Sequence, residues 1–241
     1  LSVDYYIMDT ENMLMRLPQK RYSGFDYEWK NGGAVKNQGW EVALFQRIID
    51  NKRFDWDITA KVSHFSNEVT QLEGREEIIT NFQGGEYITQ TGSSINLFHG
   101  YEYEGVYATQ QEAEEAGLVN DKGMAYRAGD AKFKDISGPE GSPDGVINHY
   151  DKTTLGSPTP DYFGSFSNTF SYGRWSLDAM VQFVYGNEVY NYLRKQNESM
   201  TGLSNQSQHV LQRWQESGDD TNVPRALWND PIGNSSFSSR W

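Results

Sequence analysis

The chain has 241 residues, no Cys, 33 acidic against 21 basic side chains for a formal charge of -12, and an aromatic share of 14% beside a hydrophobic share of only 37%. An acidic balance with no offsetting basic stripe excludes a nucleic-acid binder, because a phosphate backbone recruits Lys and Arg, and the lack of Cys excludes a disulfide scaffold, a Cys-ligated zinc and a thiolate nucleophile. The length admits one large all-β domain or two ordinary ones, and this density of rings is too high for a disordered chain.

Read in order, LSVDYYIMDT places Leu1, Val3 and Tyr5 against Ser2 and Asp4, a strand near 1–15. It carries neither a basic nor an apolar leader and begins already in alternation, so it reads as an internal start. A second strand, near 39–50, sets Trp40, Val42, Leu44 and Ile48 against Glu41 and Arg47, interrupted by Gln46. Asn51, Lys52 and Arg53 form a polar turn into a third, near 53–66, where Phe54, Trp56, Ile58, Ala60 and Val62 oppose Asp55, Asp57, Thr59, Lys61 and Ser63.

Residues 66–160 are then a long loop region rich in Gly, Asn, Asp, Pro and Ser, with one helical stretch, QQEAEEAG, at 110–117. A fourth strand near 161–173 carries Phe166, Phe170 and Tyr172 opposite Ser165, Ser167, Thr169 and Ser171, and a tight turn at Gly173 and Arg174 leads to the fifth, near 174–187. There Trp175, Leu177, Ala179, Val181, Phe183 and Tyr185 oppose Ser176, Asp178, Met180 and Gln182. Residues 186–241 are again loop, with an amphipathic stretch near Val210, Leu211 and Trp214.

No stretch approaches the roughly 18 consecutive apolar residues of a membrane helix, and the mean hydropathy is -0.74. That does not exclude a membrane barrel, whose strands need only about 9 to 11 residues with every second one apolar. The same alternation fits a soluble β-sandwich, so period alone leaves both open. They differ in whether Trp56, Trp175, Leu177, Val181 and Phe183 face lipid or a core between stacked sheets. Short turns on one side, long loops on the other, and aromatics closing both ends of the apolar rows favour the barrel.

The order of short motifs carries a resemblance. NGGAVKNQGWEVAL, FDWDITAKVSHFSNEVTQLEG and GYEYEGVYATQQEAEEAG are followed by GDAKFKD, DGVIN, DKT, GSPTPDYF, NTFSY and GNE, and then by RW, TNVPR and SSRW. The ordered set resembles the SusC/RagA family of TonB-dependent outer-membrane transporters over most of the chain. The resemblance implies an all-β fold, part of a large antiparallel transmembrane β-barrel of about 22 strands with long extracellular loops. The plug domain, the TonB-contacting segment and the closing strands of such a barrel lie outside this sequence. It further implies no catalytic site, no required cofactor, outer-membrane lipid around the wall, and import of an oligosaccharide or a peptide with a SusD-like surface lipoprotein and with TonB. The alternative is a soluble carbohydrate-binding or glycan-active β-sandwich.

The residues themselves offer two site readings. Tyr101, Tyr103, Trp214 and Trp228 stand in the loops, where rings stack on sugars or pack the loop itself. Asp135, Asp144 and Asp151 surround a DG turn with part of the spacing of a Ca²⁺ loop. The insertion PEGSP displaces the first ligand and the last is Asp rather than Glu, so a turn closed by its own backbone hydrogen bonds is the competing reading. The acids Asp55, Asp57, Glu102, Glu104, Glu112, Glu114 and Glu115 have no partner at a defined spacing for glycoside hydrolysis. His64, His99, His149 and His209 are scattered, without metal or triad spacing.

Overall fold

The computed structural model describes residues 1–19 and 21–241. In chain order the strands are β1 (Ser2–Pro18), β2 (Tyr27–Asp50), β3 (Phe54–Leu72), β4 (Glu77–Phe82), β5 (Gly85–Gln90), β6 (Leu97–Tyr101), β7 (Tyr103–Val106), β8 (Val119–Asn120), β9 (Ala131–Phe133), β10 (Val146–Ile147), β11 (Lys152–Gly156), β12 (Tyr162–Tyr172) and β13 (Trp175–Tyr185), with helices α1 (Gln110–Ala116) and α2 (Tyr192–Glu198). The chain divides into two units, one of Leu1–Thr80, Ile88–Leu97 and Gly156–Val189, the other of Asn81–Tyr87, Phe98–Leu155 and Tyr190–Trp241.

The first unit is built on a five-stranded sheet in the order β1-β2-β3-β12-β13, antiparallel throughout. Its short turns are fixed by side-chain chemistry. Asn51 Oδ1 accepts from the backbone N–H groups of Arg53 and Phe54 at 3.0 and 2.8 Å, an Asx turn, and Gly173 takes a left-handed φ of 60° between β12 and β13.

Three of these strands run further than the alternation indicates. β2 begins at Tyr27 rather than near 39, β3 ends at Leu72 rather than near 66, and β1 reaches Pro18 after a register shift beside Asn12, whose φ is 53°. The added ladder pairs Lys36, Asn37 and Gln38 with Glu68, Asn67 and Ser66, a polar segment with no hydrophobic period to reveal it. Backbone pairing holds this extension, and Leu17, Val69, Leu72 and Ile78 pack a small core at its end. A second correction concerns Ile48. It is the extra residue of a bulge in β2, so the apolar row continues through Ile49, opposite Trp56.

The stretches read as loops, 66–160 and 186–241, carry β4 to β11 and both helices. β4, β5, β6 and β11 form a four-stranded sheet in the order β11-β6-β5-β4, while β7 pairs with β9 and β8 with β10. Helix α1 covers the expected stretch. Thr109 Oγ1 accepts from the Glu112 N–H, Glu112 Oε2 accepts from the Ala108 N–H, and Gly117 ends the helix in the left-handed region. Around Val210 and Leu211 the amphipathic stretch forms a short 3₁₀ turn, Gln208–Gln212. The core of the second unit is Tyr107, Ala113, Tyr126, Ala131, Phe133, Ile147 and Ile232.

Candidate functional site: a two-faced wall and a loop unit

Register sorts the side chains of the five-stranded sheet into two faces. On one, Val3, Val42, Val62, Gly164 and Phe183 form a line across all five strands, followed across four of them by Leu44, Ala60, Phe166 and Val181. Aromatics close the band at both ends. Tyr5, Trp40, His64, Tyr162 and Tyr185 line one border, and Trp56, Phe54, Phe170, Tyr172 and Trp175 cluster at the other, beside the short turns. The 11 residues of β12 rise about 34 Å along the strand, and a barrel tilt of about 40° reduces that to about 26 Å, close to the height of the apolar belt of an outer-membrane barrel.

The opposite face is mainly hydrophilic, with Phe45, Phe163, Met180 and Val184 interspersed. Lys61, Ser165 and Gln182 share one line, and Arg47, Asp57, Thr169 and Asp178 another. Arg47 Nε donates to Asp57 Oδ1 at 2.8 Å, and Thr169 Oγ1 donates to Asp178 Oδ1 at 2.6 Å. Polar groups that stray into the apolar band find partners: Asn168 Oδ1 accepts from Trp56 Nε1 at 3.1 Å, and Gln46 Nε2 donates to Arg47 O at 3.0 Å.

Trp175, Leu177 and Val181 are 82%, 62% and 66% exposed, and among the described residues no second sheet covers them. A sandwich would have buried them. An apolar face of this height with aromatic borders, backed by a polar face, defines the class: wall of an outer-membrane β-barrel.

In the second unit the family-like motifs meet in space. Asp130 of GDAKFKD is fully buried and accepts from Arg225 of TNVPR at 2.8 and 3.0 Å and from Asn234 Nδ2 at 3.1 Å. Such a bidentate pair joins segments some ninety residues apart. Arg240 of SSRW is buried beside Trp241, its guanidinium carbon 4.2 Å from the ring centroid, and its carbonyl accepts from Arg194 Nη1 at 3.1 Å. In the first unit, Glu188 of GNE likewise accepts from the Ser157 N–H of GSPTPDYF at 2.8 Å.

The four loop aromatics take different places. Tyr101 and Tyr103 are half-buried, with ring centroids 5.2 and 6.0 Å from Phe133, and burial raises both phenols to about 12. Tyr103 hydroxyl donates to Asn222 O at 2.8 Å, and Trp214 Nε1 donates to Ala108 O at 2.9 Å, so these two are packed into the unit. Trp228 is 61% exposed. Tyr101, in contrast, borders a cavity of about 210 Å³ with Asp121, Lys122, Tyr126 and Ser236. No spacing in the sequence marks Asp121 or Ser236 as its neighbours.

The three acids of the DG loop serve the loop itself. Asp151 is fully buried, and its oxygens accept from the N–H groups of Ile136, Ser137 and Asn148 at 2.9, 3.2 and 2.8 Å. Asp135 Oδ2 accepts from the Gly145 N–H at 2.7 Å, and Asp144 Oδ1 from the Val146 N–H at 3.0 Å. Among the described residues no three His, Cys, Asp or Glu side chains converge as a metal site.

No family model matches the chain. It is 29% identical over 231 residues to TonB-dependent receptor P3 of Formosa agariphila, covering 93% of this chain and 22% of that protein. It is 23% identical over 207 residues to TonB-dependent receptor SusC of Bacteroides thetaiotaomicron, covering 84% of this chain and 19% of SusC. Among solved structures, that of the RagAB peptide transporter matches with a TM-score of 0.71 at 24% identity, over 95% of this chain and 24% of that one. The chain thus spans about a fifth of the length of the curated relatives. Over most of its length the chain is thus similar in sequence to TonB-dependent receptors, SusC among them, and in fold to the RagAB transporter structure.

Proposed function

We propose that this chain supplies lumen wall and extracellular loop structure to a transporter that imports an oligosaccharide, energised through TonB and capped outside the cell by a SusD-like lipoprotein. The observation that carries the reading is the register of the five-stranded sheet. It puts Leu44, Ala60, Phe166 and Val181 on the lipid side and Lys61, Ser165, Thr169 and Asp178 on the side of an aqueous lumen. A hydrophilic lining of hydroxyls and paired charges suits a polyhydroxylated solute, which exchanges water hydrogen bonds for wall contacts at little cost. Peptide import is the second reading, because RagAB, whose structure this chain resembles, is a peptide transporter.

The test uses cells that express the full-length protein or lack it. Fluorescent oligosaccharides and fluorescent peptides of matched size are supplied outside, and accumulation is followed with and without the proton-motive force. TonB-driven sugar import predicts accumulation that needs both the protein and the energy source, together with a surface lipoprotein that co-purifies in detergent. Peptide accumulation alone transfers the assignment to the second reading. Equal uptake of both cargos in the deletion strain overturns import.

A further inference from the structure

Within the second unit, Tyr101, Asp121, Lys122, Tyr126, Phe133 and Ser236 line the cavity of about 210 Å³. Phe133 is buried, with its ring centroid 5.2 Å from that of Tyr101 and 6.5 Å from that of Tyr126. A buried Tyr ordinarily finds a partner for its hydroxyl. Yet among the described residues neither the hydroxyl of half-buried Tyr101 nor that of buried Tyr126 has one within the chain, and the exposed Asp121 and Lys122 and the half-buried Ser236 make no side-chain hydrogen bond either. The remaining polar wall is occupied with its own loop. Asn120 Oδ1 accepts from the Lys122 and Met124 N–H groups at 3.0 and 2.9 Å, and Asp230 accepts from the N–H groups of Gly233, Asn234 and Ser235.

We infer that this cavity binds a single sugar ring, with Asp121 accepting from its hydroxyls while Lys122, Ser236 and the two tyrosine hydroxyls bond to the others. Charge decides against other ligands. A cation meets Lys122, an anion meets Asp121, and an apolar group displaces water from the tyrosine and serine hydroxyls without replacing its hydrogen bonds. Neighbouring hydroxyls on a pyranose, each both donor and acceptor, satisfy such a mixed set, and the aromatic walls accept its C–H faces. The volume lies below the range of pockets for drug-sized ligands, which limits the occupant to about one ring. The inference goes beyond the import reading and rests on it only for why a sugar reaches this unit.

The test uses the full-length transporter in a detergent without a sugar headgroup, titrated with the methyl glycosides of glucose, mannose and galactose and read by calorimetry or saturation-transfer NMR. At least one glycoside binds the wild-type protein. Asp121→Asn and Tyr126→Phe each weaken that binding about tenfold, the worth of a hydrogen bond to a charged or buried group, and Leu203→Ala, at an exposed position outside the cavity wall, leaves it unchanged. Absence of binding by all three probes, or binding that survives both cavity substitutions, overturns the site. Because transport is not part of this measurement, import without binding sinks the sugar site alone, and binding without import sinks only the transport reading.

Discussion

Glu198 lies 3.1, 3.0 and 3.7 Å from Arg194, His209 and Arg240, so one nearly buried carboxylate faces two arginines and a histidine. Burial by itself would raise its pKa, but the hydrogen bonds from His209 and Arg194 outweigh that and hold it below the ordinary 4.5. The sign of the pH effect follows. A carboxyl lowered in the folded state contributes stability that is full above 4.5 and is lost as pH falls through the lowered value. Glu198→Gln imposes that loss at every pH and leaves Arg240, already pushed down by burial, with no acidic partner. The expected cost is about 3 kcal/mol, read as earlier proteolytic cutting of the loop unit in the intact protein, with the wild type converging on the variant as the solution is acidified.

Gly164 shows how one strand constrains its neighbours. In register it lies between Val62 of β3 and Phe183 of β13, and a Cβ there would meet the Lys61 carbonyl and approach the Phe183 ring to 2.9 Å. The ring of Phe183 therefore takes the room that a side chain on β12 would need. Gly164→Val should cost about 1–3 kcal/mol of barrel stability, measured as a lower temperature for the loss of heat-modifiable migration on gels. Gly164→Ala should fall between the two. Elements differ in how openly the sequence announces them. QQEAEEAG declares α1 by its run of helix-forming residues closed by Gly117, and the rows of β12 and β13 declare themselves by alternation. The outer half of β2 does not, since Gly32, Gly33, Lys36 and Asn37 carry no hydrophobic period and only pairing with β1 and β3 makes them strand.

For the assembled barrel, the two faces of the sheet predict opposite tolerances. Val181 lies between the aromatic borders on the apolar face, so Val181→Arg places a charge in hydrocarbon at a cost of about 2–4 kcal/mol. Ser167, next to Phe166 on the same strand but on the polar face, should accept Ser167→Lys with little change. The yield of heat-modifiable protein in outer-membrane fractions distinguishes them: the first falls sharply and the second does not. Equal behaviour of the two variants would mean that the lipid and lumen faces have been assigned wrongly.

Alternation and turn residues by themselves placed the five strands of the wall and the hairpins β2-β3 and β12-β13, because period-two burial and Asn or Gly turns are local properties of the chain, while motif order carried the resemblance to SusC/RagA transporters and the pairing of β3 with β12 was left to the fold. They did not determine that Asp130 meets Arg225 and Asn234, that Ile48 is a bulge, or that Tyr101, Asp121, Tyr126 and Ser236 share a cavity. Those facts join residues many tens of positions apart, and no local preference encodes which distant segment a loop will pack against. Only the folded chain, in which buried polar groups must find partners or a cavity to face, decided them.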